Sequence, residues 1–188
     1  MSAMRTARLL ALLLILGASA AAGATCPEAL SAADRLQAMS NNGKLARDAL
    51  ITIRRQAQDW KNLLLRGSDA GERQTMQTRF DNQSRNYQDQ LEQLRRQLSA
   101  MKFEPELMAK LDQEQLKLDQ RYRAALAKHG VADLQAAAAA DREVQGSDVA
   151  SFRALEQLIT AITTKDEALF QELRLAIGQC VAQPGKSQ

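Results

Sequence analysis

Histidine is almost missing from this chain: His129 is the only one among 188 residues. Histidine-rich metal sites are therefore excluded, and the usual Ser-His and Cys-His nucleophile pairs have little to work with. The two cysteines, Cys26 and Cys180, form neither a C-x-x-C redox pair nor a C-x-x-C-H haem attachment. Glycines stand singly between patterned segments, so no Gly-rich phosphate loop occurs. Carboxylates such as Asp112, Glu114 and Asp119 are mixed with Lys, Arg and Gln, the pattern of a solvated helix face. The Glu-x-x-His pairs of carboxylate-bridged metal sites are absent. A non-covalent haem would need His129 to oppose a core methionine. Its place at a helix end before Gly130 suits a contact with the C-terminal dipole instead. No catalytic role, metal or cofactor is expected.

Aromatic residues make up only 4% of the chain and there are three prolines. β-Branched residues are scarce and no alternating apolar run of strand type appears. What is abundant is Ala, Leu, Gln, Arg, Glu and Asp, the composition of helices.

Residues 1–24 read as a signal peptide. Arg5 and Arg8 form a positive start, Leu9–Leu16 is an unbroken apolar run, and Ala22-Gly23-Ala24 fits a small-residue cleavage site before Thr25. The apolar stretch 9–22 is shorter than the roughly 20 residues of a bilayer crossing, which argues against an uncleaved anchor. A lipoprotein with Cys26 as the modified residue is the other alternative. Thr25 and the lack of a nearby Leu argue against it. Cleavage removes two arginines, so the formal charge of +3 falls to +1. A nucleic-acid or acidic-membrane partner is therefore not expected, and no second apolar run approaches membrane length. The expected location is the periplasm.

Apolar spacing divides the rest into helices. The first is expected over Pro27–Arg66, with Gly67 as its stop and an uncharged seam of Leu36, Met39, Gly43, Ala46, Leu50, Ile53, Ala57, Trp60 and Leu64. Asn41, Asn42 and Gly43 are weak helix formers, so a local kink or loosening is expected there. After a turn at residues 68–71 the second helix runs to about Lys102, on Met76, Phe80, Ser84, Tyr87, Leu91, Leu94, Leu98 and Met101. Pro105 opens the third, with Leu107, Leu111, Gln115, Leu118, Tyr122 and Ala125, and Gly130 closes it as a left-handed cap. Val131–Val144 reads as one further helical piece. The last helix follows Gly146, capped by Ser147 or Asp148. Its seam is Phe152, Leu155, Ile159, Ile162, Leu169, Leu173, Ala176 and Cys180, with Asp166 the one charged position. Residues 183–188 form a frayed tail.

Four long amphipathic helices with short turns cannot bury their stripes separately. The expected fold is an all-α, antiparallel up-down four-helix bundle over residues 25–182. An even number of helices returns the chain's end to its start and brings Cys26 beside Cys180. In an exported protein the pair reads as a disulfide; two free thiols or an intermolecular link are the alternatives.

A more specific pattern lies at Arg54-Arg55-Gln56-Ala57-Gln58-Asp59-Trp60-Lys61-Asn62-Leu63-Leu64-Leu65-Arg66-Gly67. It resembles the W-K-N-x-L-L-R-G segment between helices 1 and 2 of the periplasmic four-helix-bundle sensor domain of bacterial methyl-accepting chemotaxis receptors. Arg121-Tyr122-Arg123-Ala124-Ala125-Leu126 is similar to that family's Y-x-x-A-L stretch. Asp141-Arg142-Glu143-Val144-Gln145-Gly146-Ser147-Asp148 is similar to its D-x-x-V-x-G-x-D-R element, with Val149 in the place of the arginine. Family receptors carry flanking membrane helices and a cytoplasmic signalling region, which are not found after Cys180. What the resemblance implies is a stand-alone sensor domain that could dimerise through helix 1.

From the residues themselves, Trp60, Leu64 and Leu63 are core anchors, and Lys61 and Arg66 suit a helix C-terminus. Asn62 is expected to satisfy free carbonyls or the turn, and Gly67, Gly146 and Asp148 to shape the corner; direct ligand contact at this corner is the alternative. Arg47, Arg54 and Arg55 are the anion-binding candidates, since related receptors hold a ligand carboxylate with arginines and guanidinium binds carboxylate bidentately. The bland reading of those arginines is pairing with Asp48, Asp59 or carboxylates of helix 2. The expected function is a soluble sensor-like module binding a small solute or the periplasmic domain of a receptor or kinase. The alternative is a structural or chaperone-like helical protein acting by protein contact alone.

Overall fold

The computed structural model describes residues 26–182. The expected signal peptide and tail lie outside the described residues. The described chain is all-helical, with five helices and no strand: α1 Pro27–Arg66, α2 Ala70–Ala100, α3 Pro105–His129, α4 Leu134–Val144 and α5 Asp148–Ala182. It divides into two compact units. One takes the described residues to Gln37 and from Glu167 onward; the other is Ala38–Asp166.

The helix ends follow local chemistry. α1 starts at Pro27, whose missing N–H is no loss in a first turn. It runs unbroken through Asn41-Asn42-Gly43, so the expected loosening does not occur. Packing overrides propensity there. Asn42 is 1% exposed and its Nδ2 donates to Met101 Sδ at 3.5 Å. A Cβ on Gly43 would lie 3.3 Å from Ile162 Cγ2, so the glycine admits α5 closely.

α2 begins inside the expected turn because the Asp69 side chain accepts from Glu72 N at 2.8 Å. At its other end Lys102 N donates to Ser99 O and Phe103 N to Leu98 O. This double bond pattern is a Schellman closure, in which Gly is the usual left-handed residue. Here Lys102 takes that position, at φ 52°. Glu104, at φ 41°, then leads into Pro105. Gly130 does close α3, but at φ 65° and ψ −162° it is not the left-handed helical cap expected. That region of backbone space is open essentially to glycine alone. Asp133 caps α4 through Ala136 N at 2.8 Å, and Gly146, at φ 74°, turns the chain toward α5.

Most seam positions are buried, including Met76, Phe80, Ser84, Tyr87, Leu91, Leu94 and Leu98 of α2. In α3 Met108 is buried where Leu107 was expected. Leu50, Ala57, Met101, Phe152, Ile159, Ala176 and Cys180 are half-buried. The buried face is wider than the seam and includes polar residues, among them Thr52, Gln56, Asp59 and Ser151.

Cross-helix contacts define the pairing. In the first unit Cys26 and Cys180 stand at disulfide distance, with Cα atoms 6.0 Å apart, and Arg35 pairs with Glu172 at 3.1 Å. In the second, α1 meets α2 through Asp59–Arg79 at 3.1 Å and α5 through Arg54–Glu156 at 3.6 Å. α2 meets α3 through Ser84–Asp119 and Arg95–Asp112. α3 meets α5 through Lys110–Gln157, and Arg121 reaches Ser147, the residue just before α5. Within each of the α2–α3 and α3–α5 pairs, residue numbers rise on one helix as they fall on the other. No described helix is long and apolar enough to cross a membrane.

Candidate functional site

The three motif-bearing segments meet at one corner of the Ala38–Asp166 unit. Trp60, near the end of α1, is 1% exposed. Its ring centroid lies 4.8 Å from that of Tyr122 on α3 and 5.8 Å from that of Phe80 on α2. Phe80 and Tyr122 meet edge to face at 5.1 Å. Such tilted contacts suit the ring quadrupoles and add to area burial.

A buried indole N–H needs an acceptor. Trp60 Nε1 donates to Asp141 Oδ1 on α4 at 3.4 Å. The same oxygen accepts from Lys61 Nζ at 2.5 Å. α4 can come this close because Ala137 and Ala140, its buried positions beside Asp141, are small. Lys61 thus answers a specific carboxylate as well as sitting near a helix C-terminus. Burial first, and then Asp148 and Asp141, push the Tyr122 phenol well above its ordinary value, so it stays neutral.

Asp59, the residue just before Trp60, is 3% exposed and paired with Arg79. Asn62 Nδ2 lies 3.5 Å from Asp59 Oδ1, so Asn62 serves this carboxylate rather than the turn. Leu63 and Leu64 are buried as anchors. Arg66 pairs with Glu72 at 3.7 Å. Arg73 Nε donates to Gly67 O at 2.6 Å.

Gly67 ends α1, but not through a positive φ, which among the described glycines only Gly130 and Gly146 adopt. Its role is close approach. A Cβ there would stand 2.5 Å from both Leu63 O and Val131 Cγ2. At the edge of the corner Glu143 Oε2 lies 3.0 Å from Lys128 Nζ and 2.7 Å from His129 Nε2. His129 therefore has a side-chain partner on α4 beyond any dipole contact. The Lys128 and His129 hydrogen bonds hold the Glu143 carboxyl below its ordinary value. Asp148 opens α5, and Arg121 Nη1 donates to Ser147 Oγ beside it.

Chemically the corner is a clamp. Lys61, Asp59, Arg66 and Glu143 all have charged partners, and the rings are packed against each other. No group of three or more His, Cys, Asp or Glu among the described residues could hold a metal ion.

The arginine candidates lie elsewhere on α1. Arg54 pairs with Glu156 on α5, not with Asp48, Asp59 or α2. The Arg47 guanidinium folds toward Gly43. Arg55 is exposed. Positions 47 and 54 are two turns apart, about 10 Å along the axis, so the three do not form one compact cluster.

In the other unit, Ser31, Arg35, Glu172 and Ala176 help line an open cleft of about 490 Å³. Asp141 and the Asp59–Arg79 pair were not singled out from sequence. Asp141 heads the third motif segment, which was the available signal; a buried Asp59 had none. No protein-family model, curated protein or solved structure matches the chain.

Proposed function

We propose that this chain is a soluble, non-enzymatic, periplasmic relative in kind of the chemotaxis-receptor sensor domain. In this reading it is exported, cut before Thr25, and folded as an antiparallel up-down four-helix bundle. Cys26–Cys180 ties the ends that receptors hold with membrane helices. It binds a small solute, the periplasmic domain of a receptor or kinase, or both, and a homodimer through α1 belongs to the same reading.

The observation that carries the proposal is the corner. Three segments that separately resemble the family, spread between residues 54 and 148, converge in Trp60–Tyr122 packing and the Lys61–Asp141 ion pair. The opposite chain sense of the α2–α3 and α3–α5 partners and the cysteine distance support the bundle.

The test is a thermal-shift screen of the oxidised protein against amino acids and organic acids. A ligand that binds only the native state raises Tm, by an amount equivalent to about 2.7 kcal/mol at a hundredfold excess over Kd. The expected hit loses its shift in Arg54→Ala or Arg55→Ala. A flat screen removes the small-solute version. Absence of binding to purified receptor periplasmic domains removes the other.

A further inference from the structure

The Ala38–Asp166 unit carries, in the middle of its core, polar side chains that the corner does not use. Gln56 on α1, Tyr87 on α2 and Ser151 on α5 are 0% exposed, and Gln115 on α3 is 5% exposed. Both polar atoms of Gln56, both of Gln115, the Tyr87 hydroxyl and Ser151 Oγ are buried with no hydrogen-bond partner in the protein.

Cross-helix contacts bring these four to nearly one level. Asp59–Arg79 and Asn42–Met101 set the register of α1 against α2, which puts Gln56 beside Ser84, one turn from Tyr87. Ser84–Asp119 and Arg95–Asp112 bracket Tyr87 and place it within a turn of Gln115. Lys110–Gln157 and Arg121–Ser147 bracket Gln115 and place it level with Ser151. Four helices thus each contribute at least one unpaired polar group within about a turn, some 5 Å, of the same height.

Burying a polar group without a partner is unfavourable, and native cores rarely tolerate several together. The set is neutral. It holds two amides and two hydroxyls, with donors and acceptors in mixture. A guest that satisfies it must be neutral, able to donate and accept at once, and able to make three or four bonds in different directions. Water does this, and buried polar sites commonly hold it.

We propose that this level is an internal hydration site, in which bound water bridges the Gln56 and Gln115 amides to the Tyr87 and Ser151 hydroxyls. The bridge joins α1, α2, α3 and α5 through one hydrogen-bonded centre. A slip of any helix by one heptad moves its group about 10 Å out of reach. The layer therefore marks the correct register of the four helices.

The test uses the full oxidised chain. High-resolution crystallography should show ordered water within about 3 Å of both glutamine amides and at least one of the hydroxyls. Water-to-protein magnetisation transfer in solution should give long-lived cross-peaks at the same groups. Gln115→Met, nearly equal in volume, should abolish the cross-peaks at Ser151 and Tyr87 while the urea midpoint holds or rises. Should that variant fail to fold, Ser151→Ala provides the same readout at Gln115. A direct Gln56–Gln115 amide pair with no water overturns the proposal. So do cross-peaks unchanged in Gln115→Met, or in Ser151→Ala when that variant is the one read.

Discussion

Alanine in place of glycine has opposite consequences at two positions of this chain, and the difference can be worked out from their surroundings. At Gly67 the new methyl group would stand 2.5 Å from Leu63 O, 2.5 Å from Val131 Cγ2 and 2.8 Å from Val131 Cβ. Ordinary carbon contacts are about 3.5–4.0 Å, so the overlap is close to an ångström on two sides. Val131 is 5% exposed and cannot swing aside. Leu63 O is backbone, held by the Gly67 N–H at 2.8 Å. Overpacking of this kind costs about 1–3 kcal/mol. For a chain of this size that lowers Tm by roughly 2–12 °C. At Gly178, inside α5, nothing lies within 4 Å. There alanine should stabilise by about 0.5–1 kcal/mol through helix propensity. The assay is urea denaturation of both variants followed by helical circular dichroism. Adding Val131→Ala to Gly67→Ala should return part of the loss, a favourable coupling in a double-mutant cycle. A Gly67→Ala protein as stable as wild type, or an uncoupled cycle, would refute the close-approach account of the corner.

Lys102→Gly should raise the unfolding free energy measured in urea by about 0.5–1 kcal/mol, because Lys102 holds φ 52° at a position suited to glycine. Asp141→Leu leaves the buried Trp60 N–H without its acceptor and should cost about 1–3 kcal/mol, with a changed tryptophan emission as the local readout. Glu143 lies below its ordinary 4.5 in the folded chain, first through Lys128 and then through His129. Its ion pairs therefore stabilise the fold above that pH, and the contribution is lost as pH falls through and below it. In Glu143→Gln the acid-side fall of Tm should be shallower than in wild type. Reduction of Cys26–Cys180, 154 positions apart, should lower Tm by the equivalent of up to about 5 kcal/mol in the chain-entropy view. Equal melts with and without reductant would dismiss the bond as a stabilising element.

Helix ends were legible because their signals are local. Pro105 opens α3 and Gly130 ends it for reasons contained in two or three residues. The apolar seams were legible because a regular spacing survives in one dimension. Asn42 shows where this fails. Propensity marks it as a weak point, yet burial and a bond to Met101, 59 positions away, hold the helix intact. Gln56, Asp59 and Ser151 flank the seams and look like solvated positions by type. Only neighbours from other helices enclose them, and sequence spacing along one helix carries no record of those neighbours. Gly67 was visible as a stop, while the pressure of Val131 that requires a glycine there was not. Arg54 likewise found its carboxylate on α5 because register between helices, not distance along the chain, selects partners.

The pairing of Cys26 with Cys180 has a topological consequence. Joining the start of α1 to the end of α5 turns the polypeptide between them into a ring. With that bond formed, a single cut in any connector, such as the one between α2 and α3, would release nothing: both pieces would stay in one covalent molecule until a reductant parted them. The order of the helices along the chain becomes a matter of where the ring is opened, so new ends placed at that connector describe the same closed loop.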